Sequence, residues 1–296
     1  MAEVSVVVVT LDALPWLETC LGSIRGHETI VVDVGSKDGT LQLVREGFPD
    51  VRVLERENRG LAAGWNAGIE AASGRYFLLL NADAWAVGDA VERLADFADA
   101  HPRAAVVGPR LANLDGTLQR SARGFPTLWR LATEYLFLRK LAAGSEALNA
   151  LYAGGFDHSS PREVDWLMGA CLLLRREAVE EVGPADEEFF LFSEETDWCY
   201  RFRAAGWQVQ FTPDAEFVHV GGAAHGGRMY RENLRGQLRF LAKHHGLEEA
   251  ERARRLLLAG VRARAALFPA PRRAAYRDAA GWLASSSAAA LLRSGR

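Results

Sequence analysis

Residues 4–10 read VSVVVVT, a run that is mostly β-branched and apolar. Such a run is typical of a strand that is buried on both faces, inside a parallel sheet covered by helices. The first 110 residues fit this interpretation, because strand-like and helix-like segments alternate through them. The predicted elements are strands at 4–10, 29–34, 51–54, 75–80 and 104–108, and helices at 16–25, 39–46, 60–72 and 87–100.

The rest of the chain is less regular at first and then helical. We expect a helix over 128–142, a strand-like segment over 164–174 and a helix over 176–182. An aromatic strand that leads into a helix is expected over 189–205, followed by two last strands at 209–212 and 216–220. Beyond residue 229 we expect helices with a break at Gly246. These patterns predict an α/β fold with a single Rossmann-like, mainly parallel sheet flanked by helices. A helical C-terminal extension follows, with the boundary between residues 227 and 228.

Composition narrows the class of protein. The chain has 296 residues, of which 49% are hydrophobic and 25% charged, as in an ordinary globular protein. Its three cysteines are far apart and include no C-x-x-C, so neither a disulfide scaffold nor a zinc ribbon is predicted. The first ten residues lack the features of a signal peptide, and no apolar run reaches the length of a membrane span. The lack of a predicted disulfide is compatible with a protein that functions in a reducing compartment.

The charge is unevenly distributed. Residues 228–296 hold 15 Lys and Arg against 5 Asp and Glu, a formal charge of +10, and the preceding residues carry −13. A basic tail on an acidic body suggests contact with something anionic. It is also compatible with a solvated helical face paired with the body's own acids, or with a membrane surface. No basic motif interleaved with aromatic residues is present, so no nucleic-acid partner is predicted.

Polar residues follow the predicted strands, where ligands bind in sheets of this kind. Asp33 in VDVGSKDGT could accept hydrogen bonds from a nucleobase or a sugar, or belong to a turn in which Ser36 or Asp38 caps the next helix. Asn81-Ala82-Asp83 could hold Mg²⁺ or Mn²⁺ on substrate phosphates, or form an Asx turn.

Two further groups lie in the second half of the chain. The acids of Glu194-Glu195-Thr196-Asp197 follow the aromatic residues of FFLFS, and apolar neighbours would suit a carboxyl to general-base work. The alternative is that they are first-turn acids favoured by the helix dipole. His219 precedes a glycine-rich segment, and its role depends on whether it lies near Asp83.

Several enzyme classes lose support from what the sequence lacks. No G-x-G-x-x-G follows the first strand, as a dinucleotide-binding oxidoreductase would require. The TLDALPW segment is not the basic glycine-rich loop of a nucleotidyltransferase. The glycines at 60, 64 and 68 recur every four residues, which predicts one closely packed helix face.

The order of motifs resembles that of inverting family 2 glycosyltransferases with a GT-A fold, especially bacterial rhamnosyltransferase-like members. The resemblance covers about residues 3–225 and rests on VSVVVVT, VDVGSKDGT, NRGLAAGWNAGIEAASGRYFLLLNAD, VDWLMGACLLLRREAVEEVG, FFLFSEETDWCYRFRAAGW and PDAEFVHVGG. It implies a GT-A catalytic domain over 1–227, with a nucleotide-binding half to about residue 110 and an acceptor half over 111–227.

The resemblance also implies roles for individual residues. The implied donor-nucleotide residues are Thr10, Asp33, Asn58, Gly60, Asn66 and Asn81, the acceptor residues are Trp166, Gly169 and Ala170, and the metal ligands are Asp83 and His219. Glu195 lies where relatives usually carry the aspartate proposed as the base, so Glu194 and Asp197 are alternatives. The sequence departs from the family pattern at two further places. The motif that ends in the implied metal ligand Asp83 is NAD where relatives often have NPD, and Asp12 lies where asparagine is common.

The implied activity is transfer of a sugar, with inversion, from a UDP- or dTDP-linked donor to a saccharide or lipid-linked acceptor. The resemblance leans toward dTDP-rhamnose and implies a divalent cation, Mn²⁺ or Mg²⁺. It also implies a cytoplasmic enzyme of envelope polysaccharide synthesis that contacts the inner face of the membrane through its basic tail. The alternative is a non-catalytic module on the same fold that binds sugar nucleotides or glycans.

Overall fold

The valines of the first strand are buried on both of its faces. A computed structural model describes residues 3–142, 144–221, 227–270 and 272–293, and in it Val6, Val7 and Val8 are fully buried. The contacts divide the chain into two compact units. Unit 1 comprises residues 1–122, 157–190 and 197–221, and unit 2 comprises residues 123–156, 191–196 and 222–296. The predicted domain boundary between residues 227 and 228 stays a prediction.

The strands and helices alternate through the first part of the chain. The strands are β1 (Val4–Thr10), β2 (Glu28–Asp33), β3 (Arg52–Glu55), β4 (Tyr76–Asn81), β5 (Ala84–Ala86), β6 (Ala104–Ala112), β7 (Leu118–Gln119), β8 (Ala122–Arg123), β9 (Arg162–Glu163), β10 (Trp166–Leu167), β11 (Cys171–Arg175) and β12 (Gln208–His219). The helices are α1 (Leu14–Ser23), α2 (Thr40–Gly47), α3 (Leu61–Ala71), α4 (Ala90–Ala100), α5 (Leu128–Tyr135), α6 (Arg176–Val182), α7 (Glu194–Ala204), α8 (Gly227–His245), α9 (Leu247–Leu267), α10 (Arg272–Ala284) and α11 (Ala288–Arg293).

Unit 1 is built on one ten-stranded sheet. Its main order is β3-β2-β1-β4-β11-β6-β12-β5, with β7 paired to β6 and β9 to β12. The four strands from β3 to β4 are parallel. β11 runs antiparallel to both β4 and β6, so β6 and its parallel neighbour β12 point the same way as β1. The prediction of a mainly parallel sheet flanked by helices is confirmed.

The two faces of β1 are covered differently. Val4, Val6 and Val8 share a core with apolar residues of α1, α2 and α4. On the other face, α3 lies so close that a Cβ built on Gly64 would be 2.8 Å from Val9 Cγ1, and one built on Gly68 would be 2.2 Å from Val7 Cγ1. The close packing predicted from the four-residue glycine spacing is confirmed for these two positions.

The largest differences between the predicted elements and the structure have local reasons. The predicted helix 128–142 ends at Tyr135, because Phe137 is left-handed with φ 60° and only a short 3₁₀ turn follows over residues 138–140. The predicted strand 164–174 is broken by a turn at residues 169–170, so that β11 begins at Cys171.

The predicted aromatic strand at the start of 189–205 is also absent from this part of the described chain, since Phe192 and Ser193 have φ values of 68° and 72°. The two predicted last strands are one, β12, with a register shift between Thr212 and Glu216. Pro213 lies in this shift and cannot donate to the ladder.

The C-terminal extension is helical, as predicted. It consists of α8 to α11, and the predicted break at Gly246 is confirmed, with φ 91° at that residue. Several of its arginines pair with acids of the same extension, as Arg231 does with Asp278 and Arg254 with Glu251. Part of its formal charge is therefore balanced internally.

We expect Gly68→Ala to lower the free energy of unfolding by about 1–3 kcal/mol, because the new methyl group would force α3 away from Val7. Chemical denaturation monitored by circular dichroism measures the change. Gly22→Ala in α1 is the matched control, since nothing lies within 4 Å of its added Cβ. Equal stability of the two variants would show that α3 does not pack through its glycine face.

Candidate active site

Thr10 and Asp33 lie side by side at the carboxyl ends of the first two strands. They are paired in the register of β1 and β2, and Thr10 Oγ1 donates to Asp33 Oδ2 at 3.0 Å. Asp33 Oδ1 accepts from the backbone N–H groups of Gly35 and Ser36, both at 3.0 Å. A carboxylate accepts about four hydrogen bonds. The buried Asp33 is therefore bonded within a turn and keeps one acceptor position on Oδ2. The predicted capping of α2 by Ser36 or Asp38 is wrong, because the N-cap residue is Gly39, which has no side chain to cap the helix.

The loops after β1 and β2 hold each other in place. Asp12 has a φ of 51° and accepts from the backbone N–H of Lys37 at 2.7 Å, while its own N–H donates to Ser36 Oγ at 2.9 Å. Aspartate and asparagine adopt the left-handed conformation more readily than most residues, so Asp12 suits this turn. The residue at the N-cap of α2 is Gly39, and Asp38 accepts from the Thr40 N–H just inside the helix.

Asp83 lies beyond the end of β4 and contacts His219 at the end of β12. The distance from Asp83 Oδ1 to His219 Nε2 is 3.4 Å, and Asn81 Nδ2 is 3.4 Å from the same ring nitrogen. Asp83 Oδ2 also accepts from the N–H of Gly221 at 3.2 Å. The structure therefore brings together the two residues predicted as metal ligands and the neighbouring amide.

Gln119 determines how the His219 ring is used. Gln119 Nε2 donates to Asn113 Oδ1 at 2.9 Å, which leaves Gln119 Oε1 to accept from His219 Nδ1 at 2.6 Å. His219 Nε2 faces Asp83, and when Nε2 carries no proton its lone pair is free to bind a metal while the proton on Nδ1 stays bonded to Gln119. A partner of this kind is what orients metal-binding histidines in proteins. Sequence reasoning missed Gln119, because it is 100 residues away from His219 along the chain.

These side chains have the chemistry of a divalent-cation site. Burial raises the pKa of Asp83, but the hydrogen bond and the charge of His219 and the N–H of Gly221 lower it on balance, so Asp83 is held as a carboxylate. A carboxylate and an imidazole lone pair fit Mn²⁺ or Mg²⁺, ions that usually complete their shells with water and substrate phosphates. No group of three His, Cys, Asp or Glu side chains with metal-binding geometry occurs among the described residues.

The other predicted donor residues stabilise the local structure. Asn58 Oδ1 accepts from the N–H of Gly60 at 3.2 Å, and a Cβ on Gly60 would lie 2.4 Å from the carbonyl oxygen of Phe190. The Asn66 amide both donates to and accepts from the backbone of Ala185, at 2.9 Å each. Their contacts with a nucleotide stay predictions.

The predicted acceptor residues lie in β10 and in the turn between β10 and β11. Trp166 is half-buried in β10, Gly169 is in the following turn, and the carbonyl oxygen of Ala170 accepts from the N–H of Asn81 at 3.0 Å. Ala170 is thus tied directly to the segment that carries Asp83. An acceptor role for these three residues stays a prediction.

The acidic cluster opens α7, and its carboxyl groups have different surroundings. Asp197 is fully buried and accepts from Arg201 Nε at 2.9 Å, while Arg201 also donates to the carbonyl oxygens of Val182 and Pro184. Asp197 therefore stabilises the helix and the preceding turn.

The Glu194 side chain is buried, and its Oε2 has no hydrogen-bond partner among the described residues. Burial and the neighbouring charge of Glu195 raise the pKa of Glu194 well above its ordinary value. A buried carboxyl group that is easily kept protonated, next to a second one, is the arrangement that acid–base chemistry uses.

The segment before these acids is strained and is supported by α8 within unit 2. Phe192 and Ser193 both have left-handed backbones, which non-glycine residues keep only when their surroundings impose them. A Cβ on Gly236 would lie 2.5 Å from the Phe192 carbonyl oxygen and 2.8 Å from Ser193 Oγ. Gly236 lets α8 touch this segment, and no signal in the sequence pointed to it.

Comparison with known proteins agrees with the fold. Residues 5–183 match the family described as Glycosyl transferase family 2, so this chain belongs to that family of glycosyltransferases. It is 33% identical over 232 residues to the N-acetylglucosaminyl-diphospho-decaprenol L-rhamnosyltransferase of Mycobacterium tuberculosis, covering 72% of this chain and 75% of the relative. A putative glycosyltransferase of Bacillus subtilis, EpsH, is 32% identical over 99 residues.

Solved structures show the same GT-A fold. The structure of GalNAc-T7 with UDP, GalNAc and Mn²⁺ matches 96% of this chain with a TM-score of 0.61 at 15% identity, and this chain spans 56% of that protein. The TarS structure from S. aureus matches 94% of this chain with a TM-score of 0.52 at 14% identity. At these identities the likeness concerns the fold.

We expect Glu194→Gln to raise the melting temperature at pH values above 4.5, the ordinary pKa of glutamate. The gain in melting temperature should grow toward neutral pH. A carboxyl whose folded pKa is raised binds its proton more tightly in the folded state, so stability is lost as pH rises from the unfolded pKa toward the folded one. The uncharged amide avoids this loss. Thermal unfolding between pH 4 and pH 8 measures the difference, which should vanish at the acidic end.

Glu180→Gln on α6 is the matched control, because that side chain is 67% exposed and should show no such pH dependence. A constant difference between Glu194→Gln and the unmodified chain across this range would contradict the raised pKa.

Proposed function

We propose that this glycosyltransferase moves a sugar from a UDP- or dTDP-linked donor to a hydroxyl group of a lipid-linked saccharide, with inversion at the anomeric carbon. The observation that carries the proposal is the arrangement of Thr10–Asp33 and Asp83–His219 at the carboxyl ends of β1, β2, β4 and β12. The similarity to a rhamnosyltransferase, over 72% of the chain, favours dTDP-rhamnose as the donor and a diphospho-polyprenol-linked saccharide as the acceptor.

In this proposal Asp33 binds the base of the donor. The imide N–H of uracil or thymine would donate to the remaining acceptor position on Asp33 Oδ2, beside the Thr10 hydroxyl. Both bases present the same imide edge, so Asp33 accepts either of them. Asn58, Gly60, Asn66 and Asn81 would shape the rest of the nucleotide site.

Asp83 and His219 would hold a divalent cation, Mn²⁺ or Mg²⁺, which when bound offsets the charge that develops on the leaving nucleoside diphosphate. The carboxylate of Asp83 and the Nε2 lone pair of His219 are the ligands that this chain supplies. Gln119 Oε1 favours this arrangement of the ring by accepting a hydrogen bond from Nδ1–H of His219.

Glu195 would act as the base and take the proton of the acceptor hydroxyl as its oxygen attacks the anomeric carbon. Of the three acids that sequence reasoning left open, Asp197 is bound to Arg201, and Glu194 has the more strongly buried carboxyl. The negative charge shared between Glu194 and Glu195 favours uptake of one proton by the pair. Trp166, Gly169 and Ala170 would line the acceptor side.

A lipid-linked acceptor would be met at the inner face of the membrane, by a cytoplasmic enzyme that associates with it peripherally. Among the described residues, no helix combines the length and apolar character needed to cross a bilayer. The basic extension, with its formal charge of +10, supports contact with an anionic surface.

The donor site is tested by calorimetric titration with UDP, dTDP and GDP, with and without Mn²⁺. We expect UDP or dTDP to bind in a Mn²⁺-dependent manner and GDP to bind weakly, because its base presents a different edge to Asp33. We expect Asp83→Ala to abolish the effect of the metal, and Gln119→Leu to weaken Mn²⁺-dependent binding about 10–100-fold by releasing the His219 ring.

Gln42→Leu, an exposed residue of α2, serves as the control for Gln119→Leu. Absence of binding by all three nucleotides would remove the donor site from the proposal. Binding that is identical with and without Mn²⁺ would remove the metal.

The base is tested by Glu195→Gln. We expect kcat for sugar transfer to fall about 10²–10⁴-fold while the nucleotide Kd stays unchanged, because only the proton acceptor is lost. Glu180→Gln is the isosteric control on an exposed glutamate. Turnover by Glu195→Gln at the unmodified rate would move the base to another residue, and nucleotide binding without any transfer by the unmodified chain would favour a binding module.

A further inference from the structure

Unit 2 contains two leucines whose side chains are largely exposed. Leu141 is 79% exposed and Leu267 is 70% exposed, the highest values among the large hydrophobic residues described. Leu141 follows the 3₁₀ turn at residues 138–140, and Leu267 is the last residue of α9. Apolar side chains that are exposed together on one surface mark interaction sites, whereas single exposed leucines are ordinary, so the placement of these two residues decides what they indicate.

Aromatic contacts hold the two leucine-bearing segments together. The rings of Phe137 and Phe268 stack with centroids 6.3 Å apart, and Phe268 meets Tyr276 of α10 edge-on at 5.6 Å. These rings fix the segments next to Leu141 and Leu267 in one surface of unit 2.

The two leucine-bearing segments also carry cations. Lys140 Nζ lies 5.1 Å from the centre of the Phe137 ring, and Arg273 Nε donates to the carbonyl oxygen of Phe268 at 3.0 Å. Arg272, beside it, is exposed. We call Leu141, Leu267, Lys140, Arg272 and Arg273 the leucine–cation patch.

The chain segment that contains Leu267 has no acidic residue of its own. Residues 256–277 contain five arginines and no aspartate or glutamate. The nearby Glu134 does not offset the charge, because Arg264 and Arg139 both pair with it. The positive charge of the leucine–cation patch is therefore available to an anionic partner.

The combination of apolar and cationic groups identifies that partner. Nucleic acid would use the cations but not the leucines, and its bases would need open aromatic faces, whereas Phe137 and Phe268 stack on each other. An anionic bilayer uses both, since leucines enter the boundary between headgroups and acyl chains while lysine and arginine meet the lipid phosphates.

We propose that the leucine–cation patch docks this protein onto an anionic lipid bilayer, with Leu141 and Leu267 as the inserting residues. The purpose of this contact rests on the proposed function, in which the acceptor is lipid-linked. Membrane contact is thereby assigned to residues of two separate segments, Lys140 and Leu141 in one and Leu267, Arg272 and Arg273 in the other. This assignment extends the contact beyond the C-terminal extension that sequence reasoning had considered.

The test is flotation with vesicles made of equal parts of phosphatidylglycerol and phosphatidylcholine, compared with vesicles of phosphatidylcholine alone. We expect the unmodified chain to bind the anionic vesicles in a salt-sensitive manner. The double variant Leu141→Glu/Leu267→Glu should lower the bound fraction roughly tenfold or more, because it removes both inserting side chains. Lys140→Glu/Arg272→Glu should remove the preference for anionic vesicles.

Leu247→Glu is the matched control. Leu247 is 57% exposed at the other end of α9, next to Glu248 and Glu249, so this variant should bind like the unmodified chain. An unchanged melting temperature of the double variant verifies its folding. Equal vesicle binding by the double variant and the unmodified chain would overturn the proposal, as would a chain that binds neither vesicle.

Gel filtration separates a protein–protein surface from a lipid surface. A dimer that dissociates in the double variant, without vesicle binding by the unmodified chain, would assign the patch to a second copy and overturn the proposal. The flotation assay contains no sugar donor, so its result does not depend on catalysis. Absence of sugar transfer by a chain that floats with anionic vesicles would instead refute the proposed function alone.

Discussion

The burial of both faces of β1 is the constraint on which the rest of unit 1 depends. A strand of valines with no polar face must lie inside the sheet, and β2 and β4 flank it in parallel. Parallel neighbours end at the same edge, so Thr10 meets Asp33, and Asn81 lies across from Val9. The pairing of Thr10 with Asp33 is a consequence of this register, whereas Asp83 meets His219 because β5, which begins at Ala84, pairs with the end of β12.

The parts of the fold that sequence reasoning predicted well are those governed by local patterns. Val4–Thr10 and Arg176–Val182 have the predicted bounds, because a buried strand and a short amphipathic helix are each encoded by neighbouring residues. The errors lie where distant contacts override local preference. The aromatic residues before Glu194 have strand propensity, yet the packing of α8 holds Phe192 and Ser193 in left-handed conformations that propensity does not anticipate.

The candidate site shows the same division. Asp83 and His219 were predicted as partners through a family resemblance, and the structure brings them to 3.4 Å. Gln119 escaped notice because an uncharged amide in an irregular region carries no motif. Conversely, Asn66 and Gly60 match the family motif but make structural contacts. Asn66 is hydrogen-bonded to the backbone of Ala185, and Gly60 packs against the backbone of Phe190. A residue that matches a family motif can therefore either contact the ligand or support the residues that do, and the match alone does not distinguish the two roles.

The contact of Gly236 with Phe192 and Ser193 has a consequence for building chimeras among relatives. Residues 191–196 and 222–296 are separate in sequence but belong to one compact unit, and their contact at Gly236 leaves no room for a methyl group. Exchanging the C-terminal helices between two family members would pair one protein's acidic segment with another's helix surface. A working chimera should therefore take residues 191–196 and residues 222–296 from the same parent. These two segments are exchanged together even though they are not contiguous in the gene.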